Sequence, residues 1–435
     1  MRADPVVLAF QNPGVFAREW PTPVAEAALT GLAGDVVKTL MPHTEADQHA
    51  ILVQFLAGFG SAVGNEPHFA VEADRHGTNL FVVLVGKTAK GRKGTSWGQT
   101  RKLLELADED WALTRIQSGL SSGEGLIWAV RDAVRRPDGG RARAEGRDEH
   151  MVDEGVADKR LLVLESEFAS PLCVMRREGN TLSAIVRLAW ETGNLRVLTK
   201  NAQAVATGAH ISIIGHITQA ELNRHLGETE AANGFANRFL WLCVKRSKVL
   251  PEGGSLQADE LQWLACRLRD AMKFARNAGG LRRDDEAREL WRTVYPALSN
   301  GQTGLYGAIT SRSEAQVMRL ALIYALLDQS AAIGRRHLEA ALALWTYSDA
   351  SCRYIFGSAL GDPVADALLV ALRQQPDGMT RTQVRDYFGR HARSADLDRA
   401  LGLLREHGLV TCQSVGTGGR PAERWFATQD ATYAR

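Results

Sequence analysis

Between Asn79 and Ala107 the chain reads NLFVVLVGKTAKGRKGTSWGQTRKLLELA, an apolar run that passes through a glycine-rich basic loop into a helical pattern. Phe81 to Val85 are continuously apolar and rich in β-branched residues, which predicts a strand covered on both faces of a parallel sheet. Gly86, Gly91 and Gly94 let the loop backbone turn its N–H groups onto an anion, and the following helix offers its positive end to the same place. Lys93 would add a full charge, and Thr95 or Ser96 a hydroxyl for Mg²⁺. The spacing departs from the usual phosphate loop, G-x-x-x-x-G-K-[ST]: Gly86 and Gly91 are in place, but Arg92 stands where the lysine belongs. We therefore expect Lys93 to carry the charge, with Gly94 as an insertion before Thr95. The bland alternative is a basic surface turn.

At 435 residues the chain exceeds one usual core, so two or three domains are expected. Its 52 basic and 50 acidic residues leave a formal charge of +2, so any nucleic-acid surface must be a local patch. Cys173, Cys243, Cys266, Cys352 and Cys412 form no CxxC pair and read as reduced, mostly buried thiols of a cytoplasmic protein. No signal pattern and no membrane-length apolar run is found, and the histidines show no metal spacing. A metal other than Mg²⁺ is not expected.

Along the chain, residues 1–20 read as an extended arm, and Pro21 to Gly64 as helical, with a second apolar-faced helix from Asp47 to Phe59. Trp111 to Gln117 suggests a strand, and Arg135 to Gly155 an exposed hairpin or loop. Leu161 to Leu164 and His210 to Thr218 are further buried strands, and a loop bearing Asn237 and Arg238 leads into another. Strands alternating with helices indicate an α/β parallel sheet. From Pro251 to about Gly357 the pattern is wholly helical, which suggests a separate lid. Three helices and a hairpin with a Gly/Arg tip then describe a winged helix-turn-helix. The expected division is an N-terminal arm and helical region over 1–64, an α/β core over 65–250, a helical lid over 251–360 and the winged unit over 361–435.

Hydrolysis of a nucleoside triphosphate needs a phosphate cradle, a carboxylate for Mg²⁺, a carboxylate that orients water and a cation for the developing charge. Glu165 and Glu167 follow the strand Leu161 to Leu164, where such acids belong; a solvated loop is the other reading. Glu124, among small residues, either approaches a ligand or caps the helix from Leu126. His216, at a strand end, either senses a phosphate or is a buried structural histidine. Arg238 precedes an apolar strand and suits a finger into a neighbouring subunit's site, with Arg312 and Arg319 as weaker candidates. In the C-terminal unit Arg399, Arg405, Arg420 and Arg424 are DNA-contact candidates, although acids nearly balance bases there and a protein-interaction module fits as well.

The order of motifs, VEADRHGTNLFVVLVG leading into GRKGTS, then GLSSGEGLI, LLVLESEFASPL, TGAHISIIGHIT and NGFANRFLW, resembles the RepA/DnaB-like P-loop ATPases of phages, plasmids and integrative elements. That helicase-like family is often fused behind primase-polymerase domains. The resemblance covers roughly residues 25–357. It implies a RecA-like P-loop core that binds ATP through Gly86, Gly91, Arg92, Lys93, Gly94, Thr95 and Ser96, with Mg²⁺ at Thr95 and Glu165. Glu165 or Glu167 would be the Walker B acid, Glu124 the water-activating glutamate, His216 a sensor and Arg238 a finger. It implies an ATP-dependent DNA helicase or translocase in mobile-element or phage replication, assembled as a homo-oligomeric ring such as a hexamer. Its further partners would be DNA and a primase or replication initiator. Rival expectations are an ATP-switched DNA-binding regulator or partition-like protein without motor activity, and a scaffold that binds no nucleotide.

Overall fold

The computed structural model describes residues 20–87, 91–137, 149–198, 204–226, 230, 233–302, 304–357, 362–389, 392–406, 408–415 and 422–428. Two helices come first, α1 (Gly31–Leu40) and α2 (Gln48–Val63). Asp47 caps α2 by accepting from the His49 N–H at 3.0 Å, and every later residue of that helix is buried. A short antiparallel pair, β1 (His68–Val71) and β2 (Asp74–Gly77), precedes β3 (Phe81–Gly86). After it come α3 (Lys93–Ala107), α4 (Glu109–Thr114), β4 (Ile116–Gln117) and α5 (Gly123–Trp128). The expected strand from Trp111 to Gln117 is thus mostly helix: Asp108 caps α4 by accepting from the Trp111 N–H, and only two residues remain extended. The hairpin β5 (Val134–Pro137) and β6 (Glu149–Asp153) follows.

Next in the chain are β7 (Arg160–Glu165), α6 (Ala169–Met175), α7 (Leu182–Glu191), the small pair β8 (Leu195–Arg196) and β9 (Val205–Ala206), then β10 (His210–Thr218), α8 (Gln219–His225) and β11 (Phe239–Val244). Strands β3, β4, β7, β10 and β11 form one wholly parallel sheet in the order β11-β3-β10-β7-β4, so the molecule is a mixed α/β protein. Alternation along the strands sends Val82, Leu84 and Ile214 into one core with α1 to α4, and Phe81, Val83, Val85, Ile211 and Ile213 into another with α5 to α8.

The region beyond residue 250 holds α9 (Ala258–Ala275), β12 (Gly280–Arg283), α10 (Asp285–Ser299), α11 (Gly304–Thr310), α12 (Ser313–Leu327), β13 (Ala332–Ile333) and α13 (Arg335–Phe356). It is not wholly helical, because β12 and β13 complete a second sheet, β13-β12-β1-β2. Nor is it packed as a separate lid. Leu264, Leu268, Leu320 and Leu342 share one core with Leu32, Ile51 and Phe55 of the first two helices. The last unit has a core of its own, built by α14 (Pro363–Arg373), β14 (Met379–Thr380), α15 (Arg381–Tyr387), α16 (Ser394–Glu406), β15 (Val410–Val415) and β16 (Ala422–Ala427). Its strands pair as β14-β16-β15. All five cysteines are free, but Cys173 and Cys266 are exposed, so the thiols are not mostly buried. Among the described residues no helix is long and apolar enough to cross a membrane.

Candidate functional site

The connection that leaves β3 passes through α3 and α4 on one face of the sheet, whereas α6, α7 and α8 connect the later strands on the other face. Strands β3 and β10 are neighbours, Gly86 pairing with Thr218, so their outgoing chains part in opposite directions. A crevice at the carboxyl ends of such a pair is where open α/β sheets bind ligands.

Lys93 is the first residue of α3 and is 8% exposed. Among the described residues no carboxylate lies within ion-pair distance of it, and burial lowers its pKa, with Glu221 opposing the shift. His216 lies on the same sheet face as α3, two residues beyond Ile214, and is 3% exposed. Its Nε2 has no hydrogen-bond partner, and burial, aided by the Lys93 charge, pushes its pKa down to about 4. The ring is therefore neutral at pH 7. Glu221 belongs to a reciprocal capping box at the start of α8, in which the Thr218 hydroxyl accepts from the Glu221 N–H at 3.3 Å while the Glu221 carboxylate accepts from the Thr218 N–H at 3.1 Å. Glu221 is not among the residues expected at the site, although Thr-x-x-Glu after an apolar strand marks a helix start.

The backbone turns left-handed at Arg92 (φ 55°), and this sends neighbouring side chains in different directions. The Arg92 guanidinium points away to Glu45, with Nε 2.7 Å from Oε2, and Glu45 also receives Arg246 and the Leu250 N–H. Lys93 is thus the buried one of the two, and Arg92 stays at the surface. Ser96 is fully buried and already engaged: its hydroxyl donates to the Lys93 carbonyl at 2.6 Å and accepts from Gln54 Nε2 at 2.7 Å. Thr95 remains exposed. Nothing lies within 4 Å of where a Cβ would stand on Gly94, which leaves the first turn of α3 open to an anion. Gly91 is buried beside Gly86 and the Val244 carbonyl.

The acids lie elsewhere. Glu165 sits at the tip of β7, but it continues the alternation Leu161, Val163, Glu165 and so belongs to the sheet face opposite α3. Its Oε1 accepts from the Gly119 and Leu120 N–H groups at 2.7 and 2.6 Å, which fastens the loop after β4. Glu167 is exposed beyond the strand. Glu124 is exposed in the first turn of α5 and accepts from the Thr181 hydroxyl at 3.0 Å. None of the three is brought against Lys93. Among the described residues no group of three His, Cys, Asp or Glu could hold a metal by itself.

Arg238 precedes β11 and therefore lies at the amino ends of the strands, away from the crevice of its own chain. It is 5% exposed, donates to the Gly234 carbonyl and pairs with Glu191, which also accepts from Arg312 at 2.8 Å. The guanidinium of Arg319 lies 3.8 Å from the Trp190 ring centroid, with Arg312 at 5.3 Å. A cleft of about 650 Å³ opens there, lined by Arg312, Arg319, Trp190, Glu191, His76 and Asn79 among others. The Trp190-Glu191 hub was not evident in the sequence, because it closes the amphipathic helix α7.

In the C-terminal unit Arg399 is tied to Asp362, the buried cap of α14, at 3.0 Å, and Arg424 donates to the Asp377 carbonyl at 2.9 Å. Arg405 is exposed on α16, and Arg420 lies outside the described residues. The same helix carries Asp396, Asp398 and Glu406, so its charge is not basic. No protein-family model matches this chain, and no curated protein matches it significantly.

Proposed function

We propose that the chain is a RecA-like P-loop ATPase that works as an ATP-dependent DNA helicase or translocase in the replication of a mobile element or phage. The observation that carries this reading is Lys93, a nearly buried ammonium with no carboxylate in ion-pair distance among the described residues, on the first turn of α3 and near enough to the buried, unpartnered His216 ring for its charge to lower that ring's pKa. An uncompensated buried charge is costly and is retained where an anion completes it. The open turn at Gly94 and the β3/β10 switch point favour a phosphate chain in that place. Mg²⁺ at such sites is held mainly by phosphate oxygens and water, with one or two protein ligands. Thr95, exposed on the first turn of α3, has the hydroxyl for it, whereas Glu165 stands on the opposite face of the sheet with Oε1 held by two N–H groups. Arg238, remote from its own crevice, would have to leave its buried pair with Glu191 to serve a neighbouring subunit in a ring.

The test is binding and turnover of ATP with Mg²⁺, with and without single-stranded DNA, together with unwinding of a forked duplex. Turnover should rise severalfold with DNA, and Lys93→Ala should abolish unwinding; robust unwinding by that variant overturns the proposal. The placement of Glu165 on the opposite face, clamped by two N–H groups, favours a second reading, an ATP-switched DNA-binding regulator without motor activity. Tight ATP binding with slow turnover that DNA leaves unchanged would select it.

A further inference from the structure

On the side of β3 away from β10, two lysines and two aromatic rings converge. Lys87 follows Gly86 and Lys245 follows Val244, residues that pair in register across β3 and β11. Their ammonium groups stand 5.3 and 5.4 Å from the ring centroid of Trp20, and Lys87 is also 5.9 Å from that of Tyr354. Trp20 and Tyr354 meet edge to face at 5.2 Å and 65°, both half-buried against the core on the α5–α8 face. Among the described residues neither lysine has a carboxylate within ion-pair distance. Two like charges drawn to one ring beside the end of β3 offer an anion two cations and a flat group an aromatic face.

We infer that Trp20, backed by Tyr354, is the stacking platform for the base of a nucleoside triphosphate, with Lys87 and Lys245 flanking its sugar-phosphate end. This rests on the phosphate reading of the Lys93 crevice. Strands in a sheet lie about 4.8 Å apart. The platform at the β3/β11 tips therefore stands one to two strand widths from the crevice at β3/β10, so one nucleotide laid across the edge reaches both. The base displaces the lysines from the ring face, and they turn toward the phosphates. Stacking of this kind is tolerant of base identity.

The experiment is calorimetric titration of the full chain with Mg-ATP and with Mg-tripolyphosphate, which has the phosphates and no base. Trp20→Ala should weaken ATP binding roughly tenfold, the loss expected when an aromatic platform is removed, and leave tripolyphosphate binding unchanged. Trp20→Phe should retain most of the ATP affinity. Lys93→Ala should weaken both ligands. If Trp20→Ala fails to fold, Trp20→Leu keeps an apolar plug without the stacking face and carries the same expectation. Loss of neither ligand, or equal loss of both, in the Trp20 variants overturns the inference alone. Wild-type protein that binds neither ATP nor tripolyphosphate overturns the phosphate reading and the inference with it.

Discussion

Replacing Lys93 by Met should make the protein more stable without nucleotide and less stable with it. Taking an ammonium out of water costs several kcal/mol even after relaxation, and Lys93 is 8% exposed, with only the more distant Glu221 carboxylate to offset part of that cost. Methionine is unbranched and one atom shorter and removes the charge, so a gain of about 1–3 kcal/mol is expected, or about 2–6 °C in melting temperature. Saturation with Mg-ATP at a thousand times its Kd would add about 4.1 kcal/mol to the wild type and little to the variant, which inverts their order. The pH dependence follows from the direction of the pKa shift. Lys93 titrates below its ordinary 10.5 in the folded protein, so between the two values the unfolded chain holds the proton more tightly and stability rises with pH. The advantage of methionine is therefore full below the folded-state value and shrinks as the solution approaches pH 10.5. Calorimetric melting of both proteins at pH 7 and pH 9.5, with and without Mg-ATP, measures all of this. A variant less stable than the wild type without nucleotide, or an equal ATP shift in both, would refute the reasoning.

Acidification should destabilise the protein through His210 and His216. Burial depresses both to about 4, below the ordinary 6.5, so stability present at pH 7 is lost as pH falls from 6.5 toward 4, at up to about 1.4 kcal/mol per pH unit for each. Urea titrations at pH 7, 6 and 5 should show that slope, and His216→Gln should reduce it. Glu165→Ala should cost about 2–4 kcal/mol by stranding the Gly119 and Leu120 N–H groups, whereas Glu165→Gln should keep most of the stability; equal losses in denaturant titrations would discount the clamp. Arg92→Gly relieves a left-handed residue and gives up the Glu45 pair, and it should leave Mg-ATP affinity within about threefold. A loss as large as that of Lys93→Ala would mean that Arg92, not Lys93, meets the phosphate.

The buried strands were legible because they are long and apolar: His210 to Thr218 is read with the boundaries of β10. The second sheet was not, since β2 is the polar, partly exposed DRHG and β13 has only two residues, too short for any periodicity. The helices after residue 250 could be read as amphipathic, but a pattern reports that a face is buried and not against what. The face of Glu165 was available from the alternation of β7 alone, and following it would have separated this acid from Lys93 in advance. The choice between Arg92 and Lys93 was not available in the same way, because it turns on one left-handed residue and on Glu45, forty-seven positions earlier.

The core that joins α1 and α2 to α9, α12 and α13 has a consequence for how the chain is made. Val24 and Tyr347 lie in one cluster, so a nascent chain cannot close it until nearly all of that stretch has been synthesised. At cellular rates of synthesis this is a wait of roughly 16–65 s. Throughout it α2, buried along nearly its whole length in the finished fold, lacks the part of its cover that α9, α12 and α13 supply. The C-terminal unit, whose core is drawn only from residues beyond 362, has no such delay. Folding of the larger body is therefore expected to be slow and to depend on chaperones, whereas the small unit behind it can fold as soon as it leaves the ribosome.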